Sequence, residues 1–336
     1  MGLLRYIAIR ALVIIPTVLL LYTLVFLILR VLPGDPILAV LGTKNIPPEQ
    51  LAQIKASLGL DKPLYVQYFE YLWNVFHGDF GKSMIIRGRS IAQDLIERLP
   101  ATIELSVSAM IMSLIIGVGT GYIAAVKKDT RVDTSMRVFG ALTYTLFIPW
   151  LGLLFQLVFA VWLGWLPISG RIDPAVGLKS ITGLYLLDSI LTGNMPAFLS
   201  ALSHLILPAL TLGLVLSGPY TRLVRANLVQ ALESSFVFAY RARGIGESKV
   251  LRHAFRNAII PVVTYAGLQF ALLLGGAILT ETTFDWPGIG TYLVEKIYYR
   301  DYPAVQAVVI VFAFFVGIIS LIVDIIYALL DPRIRY

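Results

Sequence analysis

"YRARGIGESKVLRHAFRNAIIPVV", residues 240–263, breaks with the rest of the chain. Residues 240–256 hold five Lys or Arg and one His against the single acid Glu247, and then an apolar run begins. Across all 336 residues the balance is the reverse: 58% are hydrophobic and 14% charged. Soluble domains carry about 25% charged residues, so a lipid solvent is expected and the basic island belongs to one face of a membrane.

A bilayer core of about 30 Å is crossed by roughly 20 apolar residues in a helix. Six segments meet that length or come close: 11–32, 105–126, 138–163, 197–221, 258–280 and 302–330. The fourth is weakened by His204 and Pro208, and the last contains Asp324. Prolines 16, 149, 208 and 261 are tolerable, because neighbouring helices re-satisfy the freed carbonyls. The pair Gly117 and Gly121 permits close helix contact, which reads as ordinary bundle packing. The first segment is too long for a signal peptide and no small-residue cleavage site follows it, so it is expected to span. Tyr6 stands where a myristoylation signal needs Ser or Thr.

Orientation follows from Lys and Arg. With both termini inside, the inner segments hold Arg5 and Arg10, Lys127 to Arg137, Arg222 to Arg256, and Arg333 with Arg335. The short outer loops hold only Arg171, Lys179, Lys296 and Arg300, while 33–98 is long enough to escape the rule. Both termini are therefore expected in the cytoplasm. The organisation reads as residues 1–32 (N-terminus and first span), 33–98 (an extracytoplasmic helical cap) and 99–336 (the core, with a cytoplasmic loop at about 223–257). In the cap, Pro47-Pro48-Glu49 starts one short helix carrying Leu51, Ile54 and Leu58. Asp61 and Pro63 start another, with Tyr65, Phe69, Leu72 and Phe76, which Gly78 ends.

The island thus faces the cytoplasm between the fourth and fifth spans. Val250, Leu251, Ala254, Phe255, Ala258 and Ile259 share one helical face; Lys249, Arg252 and Arg256 share another. Gly244 and Gly246 break the chain ahead of them, giving two short helices joined by a bend. Two readings stay open at this point: a cationic helix lying on anionic headgroups, or a docking element for a cytoplasmic partner.

Several chemistries are disfavoured. Positive charge is scattered between apolar runs, so no nucleic-acid partner is expected. There is no cysteine. Histidines 77, 204 and 253 lie on different segments without ligand spacing, so no metal site is expected. "HGDFGKS" (77–83) ends like a phosphate loop but has Phe76 where the first glycine belongs. Ionisable groups in or near spans (Arg30, Glu104, His204, Glu281, Asp324) are the remaining functional candidates, with bundle-interior pairing as the plainer account. Carboxylates at the midplane of several helices, which a proton-coupled carrier would use, are nearly missing.

Set beside the island, a series of blocks carries a resemblance: "LPGDP" (32–36), "LGLDKPLYVQYFEYL" (58–72), "HGDFGKS", "ERLPATIELS" (97–106), "FDWPGIGTYLVEKI" (284–297), "RDYPAVQA" (300–307) and "LLDPRIRY" (329–336). Together with "ARGIG" and "RHAFRNAIIP" they resemble the binding-protein-dependent ABC importer permeases of the oligopeptide, dipeptide and nickel branch, specifically the first permease subunit, over essentially the full length. The resemblance implies an all-α integral membrane protein with six transmembrane helices, the type I importer permease fold, in the cytoplasmic membrane of a bacterium or archaeon. It implies no catalysis and no cofactor in this chain, ATP and Mg being bound by partners. Those partners are two ABC ATPases, a homologous second permease, an extracytoplasmic substrate-binding protein and membrane lipid. Short peptides are the implied cargo, with oligosaccharides, nickel or another small solute as alternatives; a stand-alone carrier and a membrane-embedded enzyme are the competing classes.

The family's loop pattern, Glu-Ala-Ala, three residues and Gly, falls on Phe238, Ala239, Tyr240 and Gly244, and only Ala239 and Gly244 match it. The branch's own Arg-Ala-basic-Gly run is Arg241, Ala242, Arg243 and Gly244. The resemblance makes Ala239, Arg241, Ala242, Arg243, Gly244, Val250, Leu251, Phe255, Asn257 and Pro261 the ATPase-coupling loop. Val250, Leu251 and Phe255 are expected to enter a groove of the ATPase, and Arg241, Arg243, Arg252 and Arg256 to pair with its acidic rim. Trp162, Trp165 and Trp286 are expected in an interfacial belt, where they could also stack on a sugar.

Overall fold

The computed structural model describes residues 3–31, 61–84 and 89–330. The expected helix at 49–58 and the C-terminal Arg333 and Arg335 lie outside the described residues. Asp324 lies within the last helix, but its side chain is outside the description as well.

Among the described residues the regular structure is made of helices, apart from one isolated antiparallel bridge between Lys82 and Ser90. In order they are α1 (Leu3–Val31), α2 (Leu64–Phe76), α3 (Ile91–Val126), α4 (Arg131–Thr145), α5 (Ile148–Phe155) continued by a wider helical turn over Gln156–Trp162, and α6 (Tyr185–Leu191). There follow α7 (Met195–Leu232), α8 (Ser235–Ala242), α9 (Glu247–Ala258), α10 (Ile260–Gly276), α11 (Ile278–Thr283), α12 (Ile289–Tyr298) and α13 (Tyr302–Leu330). Four of them, α1, α3, α7 and α13, contain unbroken stretches long and apolar enough to cross a membrane.

Two of the six expected spans are broken. The one at 138–163 is two helices bent by 103°. Leu146 and Phe147 are extended, and Pro149 sits in the first turn of α5. Its missing N–H and its ring would disrupt a continuous helix there. The one at 258–280 is α10 followed, after Ala277, by the short α11. Conversely, α3 starts well before residue 105 and α7 runs past residue 221, so both project beyond the expected apolar limits.

Backbone-to-backbone contact joins α3 and α7. A β-carbon added at Gly117 would come within 2.5 Å of the Tyr220 Cβ and 2.7 Å of the Ser217 carbonyl oxygen. One at Gly121 would meet the Thr221 carbonyl oxygen at 2.7 Å, and one at Gly213 the Met112 Cβ at 2.7 Å. The partners advance together along both chains, so the two helices run parallel. On the other flank of α7, Gly218 lies against the Gly140 carbonyl of α4, and Asp133 pairs with Arg225, so α4 runs antiparallel. Likewise α1 and α13 are antiparallel, with Arg30 by Tyr302 and Ile14 against Gly317. Apolar helices gain little from hydrophobicity when lipid surrounds them, which makes this small-residue packing the main source of cohesion.

At the end of the bundle where α3 begins, two buried acids, Glu104 and Glu281, are tied. Arg171 donates to Glu104 at 2.6 and 3.0 Å and to the Gly183 carbonyl at 2.7 Å, and Leu186 N–H donates to Glu104 at 2.8 Å. Glu281 accepts from Thr102 Oγ1 at 2.6 Å and from Thr291 N–H at 3.0 Å, its carboxylate filling the space beside Gly288 and Gly290 at the start of α12. A carboxylate is well placed at a helix N-terminus. Trp286 is wholly buried and donates to the Ala101 carbonyl at 2.8 Å, so it is a core anchor and corrects the expected belt position. Trp162 and Trp165 are exposed. The "GKS" stretch is a bracket: Ser83 Oγ donates to Asp301 at 2.5 Å, just ahead of α13.

Replacing Gly117 by valine forces α3 off α7 and should cost about 1–3 kcal/mol or more through overpacking. Gly119→Val, where added carbon meets nothing within 4 Å, should be near neutral by comparison. Thermal melts of the two variants in detergent check the difference; equal melting temperatures would contradict the contact.

Candidate functional site

The basic island folds as a hairpin of α8 and α9. Helix α8 ends in Gly244, whose φ of +70° is left-handed. Gly244 N–H bonds the Arg241 carbonyl at 3.0 Å and Ile245 N–H bonds the Tyr240 carbonyl at 3.1 Å. This paired closure is the Schellman arrangement, which calls for glycine at its left-handed residue. A side chain there would cost roughly 1–2 kcal/mol in backbone strain, although the space around it is open.

The hairpin has a core of its own. Val237 of α8 and Val250, Ala254 and Ala258 of α9 are buried against Ala125 and Leu228, with Tyr122, Tyr240, Ile245 and Phe255 around them. Ala125 ends α3, and Leu228 lies in the last turns of α7. The hairpin is therefore seated on the projecting ends of the two glycine-packed helices. Phe255 meets Tyr122 edge to face at 5.6 Å. Outside, Arg241 and Glu247 form a two-pronged ion pair across the turn. Beside the seat, Arg225 holds Asp133 through two hydrogen bonds of 2.6 Å.

The expected coupling residues divide accordingly. Ala239, Arg241, Ala242, Arg243, Gly244, Asn257 and Pro261 are exposed; Leu251 and Phe255 are half-buried. Val250 is fully buried inside the hairpin. For Val250 the expected insertion into a partner is replaced by packing on the chain's own bundle, and Phe255 packs there in part, because α3 and α7 run long enough to reach them. Arg241 is turned to Glu247, while Arg243, Arg252 and Arg256 are exposed. The outward apolar group is one the sequence did not single out: Phe238, 76% exposed on α8 beside Ala239 and Ala242. Its signal was available in the family pattern, where a bulky residue stands in place of an acid.

The ionisable candidates do not gather. Glu104 and Glu281 are locked as above. His204 bonds the Ser200 carbonyl at 2.7 Å, His77 lies tilted against Trp73, and His253 packs on Tyr240. Arg30 donates to Gln67 at 3.1 Å and lies over Phe26. A bundle of long apolar helices, with a basic hairpin mounted on the ends of two of them, is the framework of a multi-pass membrane protein.

Comparison with known proteins agrees. The model for "Binding-protein-dependent transport system inner membrane component" matches residues 117–336, and the model for the N-terminal part of such components matches residues 3–106. The chain is 40% identical over 334 residues to the di/tripeptide transport system permease protein DppB of Pseudomonas aeruginosa, covering 99% of each chain. It is 38% identical over 337 residues to the dipeptide transport system permease protein DppB of Escherichia coli K12, and 38% identical over 341 residues to the glutathione transport system permease protein GsiC of Escherichia coli O1:K1, again at 99% coverage of each. This chain belongs to the family of binding-protein-dependent transport system inner membrane components, the permease subunits of ABC importers. It is a multi-pass protein of the cytoplasmic membrane, and such permeases work with ATPase and substrate-binding partners.

The hydrogen-bonded Arg241 guanidinium holds the Glu247 carboxyl below the ordinary glutamate range. A depressed carboxylate contributes at every pH above its unfolded value of about 4.3, and the contribution fades as pH falls through the lower folded value. At neutral pH the amides of Gly244 and Ile245 should exchange with deuterium faster in Glu247→Gln than in the native chain. The ratio should shrink toward one on acidification. A ratio independent of pH would mean that the ion pair does not clasp the turn.

Proposed function

We propose that this chain is one half of the pore of a peptide importer, and that the α8–α9 hairpin is where it receives work from a cytoplasmic ATPase. Six crossings with both termini in the cytoplasm are part of the proposal, the bent α4–α5 pair and α10 with α11 supplying the third and fifth. The parallel run of α3 and α7, the antiparallel run of α4 against α7 and that of α1 against α13 support it, as does the basic hairpin at the end where α3 and α7 terminate. A homologous second permease supplies the other half of the pore. Two ATPases hold the ATP and Mg; this chain needs no cofactor and carries out no catalysis. The extracytoplasmic binding protein delivers the solute.

The carrying observation is the division of the hairpin into two faces. One, with Val237, Val250 and Ala254, is fixed to α3 and α7. The other offers Phe238, Ala239, Ala242 and Arg243 to the cytoplasm, a small-residue surface with one aromatic anchor and a cation. A short helix of that kind suits a groove in a partner. When two ATPases close on nucleotide, a docked hairpin moves with them and tilts the helices on which it sits. Coupling of this sort requires that the ATPases contact the hairpin differently in their open and closed states.

For cargo, the relatives named for dipeptides, di/tripeptides and glutathione favour a short peptide. Uptake of a labelled dipeptide by the reconstituted complex, and none by this chain alone, tests the assignment; ATP-independent uptake by the lone chain would overturn it.

Phe238→Asp combined with Arg243→Glu should lower ATP-driven uptake by about tenfold or more, the loss expected when a buried anchor worth over 1.4 kcal/mol is removed from an interface. Membrane insertion and the melting temperature should stay as they were, since both residues point outward. Undiminished uptake would remove the docking surface from this face.

A further inference from the structure

Helix α2 does not behave as part of a water-facing cap. Its inner face, Tyr68, Tyr71, Leu72 and Val75, packs on Tyr22, Phe26 and Ile310. Four bonds hold it there: Tyr22 OH donates to the Tyr68 carbonyl at 2.9 Å, the Tyr68 and Thr23 hydroxyls meet at 2.8 Å, Arg30 donates to Gln67 at 3.1 Å, and Tyr71 OH donates to the Pro303 carbonyl at 3.2 Å. Tyr22 lies about 12 Å along α1 from Arg30 at 1.5 Å per residue. The helix is therefore pinned beside an apolar span and not above it.

Its other face is bare and aromatic. Tyr65, Phe69, Trp73 and Phe76 follow one another at helical spacing and are 64 to 70% exposed. Glu70 is the one charge on α2, and it pairs with Lys62 ahead of the helix at 2.7 Å. Between α1, α2 and α13 lies a cleft of about 540 Å³, lined by Val18, Leu72, Val75, Phe80, Ile310 and Phe314 among others, all the lining side chains being aliphatic or aromatic. Water would find almost no polar partners there. Ile15 and Phe314 line the cleft and are each 51% exposed on the flanks of α1 and α13. The cleft thus opens onto the surface that α1 presents to the bilayer through Leu12, Leu20 and Leu24.

We infer that α2 is an interfacial helix sunk into the outer leaflet, its aromatic stripe among lipid, and that the α1–α2–α13 cleft holds an acyl chain of a membrane phospholipid. Aromatic rings with a polar end suit the headgroup boundary, and an apolar face beside a charged turn is the pattern of a helix lying in the membrane surface. An aromatic stripe of this length in water would be an association hazard; continuous with the flank of α1, it is the edge of the bilayer contact. The inference rests on the proposed six-crossing topology only for which leaflet is named.

The chain has no cysteine, so single substitutions can be labelled in the native background. In the assembled transporter in phospholipid vesicles, a nitroxide at Trp73→Cys or Phe69→Cys should collide with oxygen more, and with a water-soluble nickel complex less, than one at Glu70→Cys. The oxygen-to-nickel ratio should differ by about fivefold or more, as for interface against water. A phospholipid bearing a photoreactive group on its acyl chain should crosslink within residues 72–80, and Val75→Trp, which fills the cleft, should cut that yield several-fold while dipeptide uptake continues. A label open to the nickel complex would put the stripe in water. Shielding from both reagents would put a protein partner on it. Either result, or crosslinking unaffected by Val75→Trp, overturns the inference. A membrane-impermeant thiol reagent on Glu70→Cys reports the leaflet separately, so an error of topology is distinguishable from an error about lipid.

Discussion

Close approach of α3 and α7 is the constraint on which the rest of this molecule hangs. Gly117, Gly121 and Gly213 leave no space in which a β-carbon could be added without displacing a neighbouring backbone or Cβ. In water such helices would be driven together by burial of apolar surface, but in lipid that drive is gone and contact area with backbone groups replaces it. The consequence is mechanical. Two helices of 36 and 38 residues are joined along their lengths, and a displacement at one end is carried to the other as a rigid rotation. The hairpin sits on one end; Glu104 and Trp286 are fixed at or near the other.

Charge follows the same division. Among the described residues, the buried ion pairs stand toward the two ends of these helices: Glu104 with Arg171 at one, Asp133 with Arg225 at the other. Breaking a buried pair by removing one partner leaves an uncompensated charge and costs several kcal/mol, so these contacts fix a loop to α3 at one end and α4 to α7 at the other. They are poor candidates for groups that carry ions across. A permease driven from outside has no need of such groups in its middle, and this arrangement leaves the interior free to change shape without stranding a charge.

Much of this was legible in sequence. Apolar runs located the four long helices α1, α3, α7 and α13, because that signal comes from the cost of putting charge in hydrocarbon. The Gly117 and Gly121 spacing correctly announced a close contact. What failed was what depends on partners distant in the chain. Pro149 was counted as tolerable in a continuous span, yet the helix breaks there, since tolerance depends on neighbours that re-satisfy the backbone. Trp286 was assigned to an interface on residue type, and only the fold puts the Ala101 carbonyl within its reach. Tyr65, Phe69, Leu72 and Phe76 were visible as apolar positions of one short helix, but sequence alone could not say that Leu72 is pinned toward α1 while the other three stay exposed.

The hairpin shows why periodicity cannot assign a binding face. Val250, Leu251, Ala254 and Phe255 form an apolar stripe that looks the same whether its partner is another protein or the ends of α3 and α7. Deciding between them requires knowing that α3 runs to Val126 and α7 to Leu232, beyond the apolar limits a hydropathy reading would set. Those projecting ends carry Ala125 and Leu228, which cover Val250 and Ala254, and so the stripe is already occupied. What remains for a partner is the opposite face, where Phe238 stands exposed between alanines and next to a turn that only a left-handed residue can make. The hairpin is thus held to its own bundle on one side and bare on the other. A helix lying on headgroups would have its apolar stripe turned to lipid, and here that stripe is spent on the chain itself.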